Sequence, residues 1–172
     1  MLTLNRYIID QKLLSIRGAY LIKDSQGNEI GKAEGKLFSW GAKYQILDAS
    51  GQLLGRINQK VLRLRPTFQI LDANEKVVVT MKRNLWKFIG SEYWFEDPAG
   101  QEVLRARGRF HAHAYTLFDT QGSPLAEVNK KWVSIRDSYG VEIFSSIDRL
   151  IVLGAVICID IVEHSASSGS EE

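Results

Sequence analysis

Between Val103 and Tyr115 the chain alternates with a period of two. Arg105, Arg107, Arg109, His111 and His113 share one parity, Leu104, Ala106, Gly108, Phe110, Ala112 and Ala114 the other, and no acid interrupts them. A strand running through this segment presents three guanidiniums and two imidazoles on one face. The guanidinium is a planar fork of donors that matches phosphate oxygens, so the chemistry expected of the stripe is capture of an anion. The competing and commoner arrangement is a solvated outer face whose acids come from neighbouring strands. Magnitude limits the first reading: at about 1 kcal/mol per basic residue near an anionic lipid surface, three arginines give about 3 kcal/mol, or about 150-fold. The stripe alone binds weakly.

The elements that must position these residues come from an internal repeat. Asp24, Asp48, Asp72, Asp97, Asp119 and Asp137 recur at steps of 24, 24, 25, 22 and 18 residues. Three residues later stands Gly27, Gly51, Gly100, Gly122 or Gly140 in five of the six units, with Glu75 in the third. Asp that bonds its own backbone, followed by Gly in a left-handed conformation, is the chemistry of a short hairpin loop. Four residues before each Asp lie Tyr20, Tyr44, Phe68, Tyr93, Tyr115 and Val133; two before lie Ile22, Ile46, Ile70, Phe95, Leu117 and Ile135. This spacing puts both positions on one strand face. Six residues after each Asp, Ile30, Leu54, Val78, Val103, Leu125 and Ile143 mark a returning strand. Six hairpins predict about twelve strands, a sheet large enough to close into a barrel or split into layers.

One segment obeys another grammar. Leu150 to Ile159 is ten uncharged residues between Arg149 and Asp160, with Asp148 placed as an N-cap. A bilayer span needs about 20 such residues, so the segment predicts a buried helix at about 148–162 rather than a membrane anchor, its β-branched residues leaving a buried strand as the alternative. Twelve strands enclose more space than their own side chains fill, and one helix about 10 Å across is a fitting plug. Gly31, Ala33, Gly55, Ala106 and Ala126 leave room for it if they face inward. Asp160 then needs a partner such as Lys, Arg or a Tyr hydroxyl, or the helix ends there. The domain expected is 1–164, with 165–172 a disordered tail.

A second basic pattern accompanies the repeat. Twelve residues after successive Asp positions stand Lys36, Lys60, Asn84, Arg109 and Lys131, with Lys12 before the first unit. Equivalent positions of an up-and-down barrel gather at one end, so these residues, with Arg63, Arg65, Lys82 and Arg83, predict a basic rim; the alternative is that they keep strand ends soluble and guard edges.

Other chemistry finds less to stand on. His111 and His113 supply two metal ligands where a site needs three or four, with His164 distant in sequence, so no metal is expected. Cys158 sits among apolar neighbours and reads as inert; Ser39 and Ser134 lack a nucleophile elbow; phosphate-loop and dinucleotide motifs are missing. No catalytic residue and no cofactor are predicted. Trp40, Trp86, Trp94 and Trp132 fall at strand starts and ends rather than along a basic groove, against nucleic-acid binding. The 22 Lys and Arg balance 20 Asp and Glu, so whole-molecule charge selects no partner. One cysteine and a start without the zones of a signal peptide predict a cytoplasmic protein, peripheral at a membrane if it binds lipid, and a monomer.

The text Asn129-Lys-Lys-Trp-Val-Ser-Ile-Arg-Asp-Ser-Tyr-Gly-Val-Glu-Ile143 resembles the LURP-one-related family, part of the Tubby C-terminal-like superfamily with the phospholipid scramblases. So does the opening Arg6 to Ile16, and Lys-x-x-Ser-x recurs at Lys12 to Ile16, Lys36 to Trp40 and Lys131 to Ile135. The resemblance implies a twelve-stranded barrel around a central helix. On activity it implies less, since relatives are linked to phosphoinositide binding in Tubby proteins, lipid movement in scramblases and defence in plants. The residues themselves lead to the expectation of a non-enzymatic binding or scaffold module that meets anionic phospholipid, such as phosphoinositide, through its basic face or rim, with scramblase-like lipid movement or protein-protein interaction as alternatives. Scramblases carry a cysteine-rich acylated segment, and this chain has Cys158 alone.

Overall fold

Each Asp turn joins two strands in the same way. In the computed structural model, which describes residues 2–12, 18–35, 41–61, 66–83, 92–130 and 138–168, Asp24 Oδ1 accepts the backbone N–H of Gln26 and Asn28, both at 2.9 Å. The Gly27 N–H donates to the Asp24 carbonyl, and Gly27 has φ 89°. Asp48, Asp72 and Asp119 repeat both side-chain bonds, and all five hairpins carry one bulge at the same place after the loop. This is the three-residue loop closed by a left-handed residue. The Asn28 side chain and the backbone donors hold the Asp24 carboxyl below its ordinary range, as the Ser50 hydroxyl and backbone donors do for Asp48.

The third turn places Glu75 at φ 66°, where its four counterparts are glycine. A non-glycine residue in the left-handed region costs about 1–2 kcal/mol. Its ion pair with Arg56, at 3.5 Å and 70% exposed, returns little. Glu75→Gly is therefore expected to stabilise the protein by about 1 kcal/mol, read as a higher denaturation midpoint in urea; an unchanged or lower midpoint would show that the turn carries no strain.

The five hairpins are β2 (Ala19–Lys23) with β3 (Glu29–Gly35), β4 (Lys43–Asp48) with β5 (Leu53–Gln59), β6 (Thr67–Asp72) with β7 (Val77–Arg83), β8 (Glu92–Glu96) with β9 (Glu102–Arg109), and β10 (Ala114–Asp119) with β11 (Pro124–Asn129). With β1 (Arg6–Lys12) and β12 (Ser138–Ile143) they make a closed antiparallel barrel of twelve strands in sequence order, β12 returning to pair with β1. The count matches expectation, but the sixth unit differs. Gly140 lies within β12, between Ile8 of β1 and Asn129 of β11, rather than in a turn, and Asp137 lies outside the described residues.

The helix α1 (Arg149–Ser168) fills the lumen. Asp148 caps it, its Oδ1 accepting the Leu150 N–H at 2.9 Å. Every residue from Val152 to Asp160 is buried, which a helix achieves only when surrounded on all sides. The small inward residues make the room as expected: Gly31, Ala33, Gly55, Ala106 and Ala126 are all buried. A Cβ on Gly55 would stand 2.7 Å from Leu150, and one on Gly154 2.9 Å from Ile70. The helix runs beyond 162, taking in residues 165–168 of the tail expected to be disordered. Ser165 Oγ donates back to the Ile161 carbonyl at 2.8 Å. Among the described residues, no helix is long and apolar enough to cross a membrane.

Candidate functional site

The predicted stripe divides into three. Arg105 forms a two-pronged bond with Glu102, Nε to Oε1 at 2.7 Å and Nη2 to Oε2 at 2.6 Å, which raises the pKa of its guanidinium. Arg107 Nε donates to Glu92 of β8 at 2.6 Å, and Glu92 also lies 3.5 Å from Arg105. The register explains the pairing, since Glu92 sits opposite Arg107 and Trp94 opposite Arg105. These two arginines thus belong to a solvated face balanced by neighbouring acids, beside a shallow depression that Glu102 and Asp119 also line. Arg109 ends β9 and is exposed. There the strand stops: Phe110–Ala112 make one 3-10 turn, carrying exposed His111. His113 adopts the left-handed conformation, φ 46° and ψ 48°, and turns into the barrel.

Inside, His113 Nε2 meets Asp160 Oδ1 at 2.6 Å, and His164 Nε2 lies 3.6 Å from Asp160 Oδ2. His113 stacks on Tyr139 with ring centroids 4.4 Å apart. The nearest partner of Asp160 is therefore a histidine, with the Tyr20 hydroxyl also interacting with its carboxylate as expected, and the helix does not end there. The distance of His164 in sequence is also misleading. Asp160 and His164 are one helical turn apart on one face of α1, and barrel closure brings His113 to them.

The repeat builds the surroundings. The position four before each Asp forms a layer facing α1: Tyr20, Phe68, Tyr93 and Tyr115 are buried and Tyr44 is partly so. Tyr93 donates its hydroxyl to Glu163 Oε1 at 2.5 Å, and Arg83 lies over the Tyr93 ring at 5.5 Å. Burial first, and the Asp160 carboxylate next, push the hydroxyls of Tyr20, Tyr44, Tyr115 and Tyr139 above their ordinary range, so they remain protonated. The layer two before each Asp, Ile22, Ile46, Ile70, Phe95 and Leu117, is apolar and fully buried. Sequence reasoning missed this site, although one signal was present: four of five equivalent aromatics carry a hydroxyl. Cys158 is buried, and burial pushes its thiol up, away from nucleophilic chemistry.

Because all strands alternate in direction, β5, β7, β9 and β11 end together, opposite the Asp turns. Lys60, Arg109 and Lys130 are exposed at that end. Lys82 is paired with Glu96 at 2.5 Å and Arg83 with Glu163 at 3.4 Å. Lys36, Lys131, Arg63 and Arg65, and with them Trp40, Trp86 and Trp132, lie outside the described residues. Trp94 is half-buried and donates to Glu96.

The fold is shared with a solved protein from Arabidopsis thaliana, 14% identical in sequence, with 91% of each chain covered and a TM-score of 0.68. Among curated proteins, no sequence matches. The family model described as LURP-one-related matches residues 5–160, from the first strand of the barrel to Asp160 of α1. The chain is thus a member of the LURP-one-related family.

Proposed function

We propose that the protein is a non-enzymatic binding module whose basic end docks on an anionic, phosphate-bearing surface, the phosphoinositide head groups of a membrane being the class that fits. The observation supporting this is the opposed polarity of the two ends. Asp24, Asp48, Asp72, Asp97 and Asp119 gather at one, while Lys60, Arg109 and Lys130 stand exposed at the other. With the lumen occupied by α1, the ligand belongs on the outside. Arg105 and Arg107 are already neutralised by Glu92 and Glu102, so the end, rather than the strand face, carries the proposal. By sequence, Lys36 follows directly on β3 and Lys131 on Lys130, which adds charge to the same connections. Lipid movement by an inserted α1 has no comparable support, since leaving the barrel would carry Asp160 into lipid.

The test is co-sedimentation of the full chain with neutral vesicles and with vesicles containing phosphoinositide, at low and physiological salt. Salt-sensitive binding to the anionic vesicles is expected. Lys60→Glu, Arg109→Glu and Lys130→Glu together should weaken it by at least about 150-fold, at about 1 kcal/mol per cation. Arg105→Ala with Arg107→Ala should change it little. Absence of binding at physiological salt would overturn the proposal and point to a protein partner.

A further inference from the structure

We propose that His113, Asp160 and His164 form a binding site for a divalent first-row transition metal ion at the mouth of the barrel. Two imidazoles and one carboxylate are a donor set suited to zinc and its neighbours. The three residues each offer one ligand atom, and these lie within 4.8 Å of one another. A tetrahedral ion with bonds of about 2.0–2.2 Å holds its ligand atoms roughly 3.4 Å apart. The 3.6 Å between His164 Nε2 and Asp160 Oδ2 fits that spacing as it stands. His113 Nε2, hydrogen-bonded at 2.6 Å to the other oxygen, Oδ1, exchanges that bond for a metal bond.

A separate observation points to a ligand. Asp160 is 3% exposed, yet its Oδ2 makes no hydrogen bond of ordinary length among the described residues, with His164 Nε2 3.6 Å away and the Tyr20 hydroxyl interacting with the carboxylate. A buried carboxylate oxygen left in that state is costly, and a cation beside it removes the cost. The ligands are also held in place before any ion arrives. His113 is fixed by the turn that precedes it and by its stacking on Tyr139, while Asp160 and His164 share one face of a helix gripped by the barrel. His164 is 47% exposed, which gives an ion a way in from the basic end. Among the described residues no fourth ligand joins the three, leaving a coordination position for water or for an anionic oxygen.

The experiment uses the full chain stripped with a chelator and titrated with Zn2+ against a chromophoric zinc indicator, with Co2+ uptake followed by its visible absorption. One ion per chain is expected, together with a rise in melting temperature on adding Zn2+. His164→Ala, at a half-exposed position that leaves the core intact, should weaken binding by at least about 100-fold, since even outer-shell changes cost 10–100-fold. His111→Ala removes an exposed histidine two residues from His113 and should leave the affinity as it was. Lack of stoichiometric uptake, or uptake that survives His164→Ala, would overturn the site and leave His113 and Asp160 as a buried pair.

Discussion

His113→Ala is expected to destabilise the metal-free protein by about 3–5 kcal/mol, because it strips the direct partner from a carboxylate inside the barrel. Asp160 is 3% exposed, and its neighbours on the helix, Ile157, Cys158 and Ile159, are at most 1% exposed. Two further variants separate the causes. His113→Gly removes the same imidazole but accepts φ 46° without strain, so it should lose about 1 kcal/mol less. Asp160→Asn added to His113→Ala removes the charge that was left behind, and should restore about 1–3 kcal/mol relative to the single variant. Denaturant midpoints with chelator present measure all three, together with Asp160→Asn alone. Simple additivity of the two substitutions would mean that the contact at 2.6 Å contributes nothing as a pair.

What could be read from the sequence was whatever is settled over a few residues. The Asp turn is local: one carboxylate bonds donors two and four positions on, so its spacing survives as a visible repeat. The inward small residues were legible for a similar reason, because strand alternation assigns Gly55 and Ala106 their face once the strand is placed. The sixth match misled because Asp-x-x-Gly says nothing about pairing, and Gly140 is claimed on both sides by Ile8 and Asn129. The helix end was hidden by composition. Polar residues after Ile161 look like an exit from the core, whereas hydrogen bonding carries the helix on through Ser165. The site at the mouth was least legible, since His113 and Asp160 are 47 residues apart and meet only once the barrel has closed around α1. Strand parity then gave a wrong prediction, placing His113 with the arginines. The departure starts at Gly108.

Gly108→Ala tests that account, and a loss of about 2–6 kcal/mol is expected. Gly108 has φ 144°, outside the range of ordinary side chains, and an added Cβ would lie 2.5 Å from the Ala114 carbonyl oxygen and 2.6 Å from Tyr115 Cα. Both are backbone atoms of the paired strand, so no rotamer change relieves the contact. Backbone strain of about 1–3 kcal/mol adds to overpacking of about 1–3 kcal/mol. Gly122→Ala isolates the first contribution, having φ 86° with nothing within 4 Å of the new Cβ; it should cost about 1 kcal/mol. The damage at Gly108 should also spread. Tyr115 packs on Phe110 at 4.9 Å, and Phe110 on Tyr93 at 4.8 Å, so a displaced Tyr115 moves the turn that delivers His113 to Asp160. Melting temperatures and near-ultraviolet circular dichroism of the two variants decide the matter. If Gly108→Ala loses no more than Gly122→Ala and keeps the aromatic signal, crowding at this strand end does not set the inward path of His113.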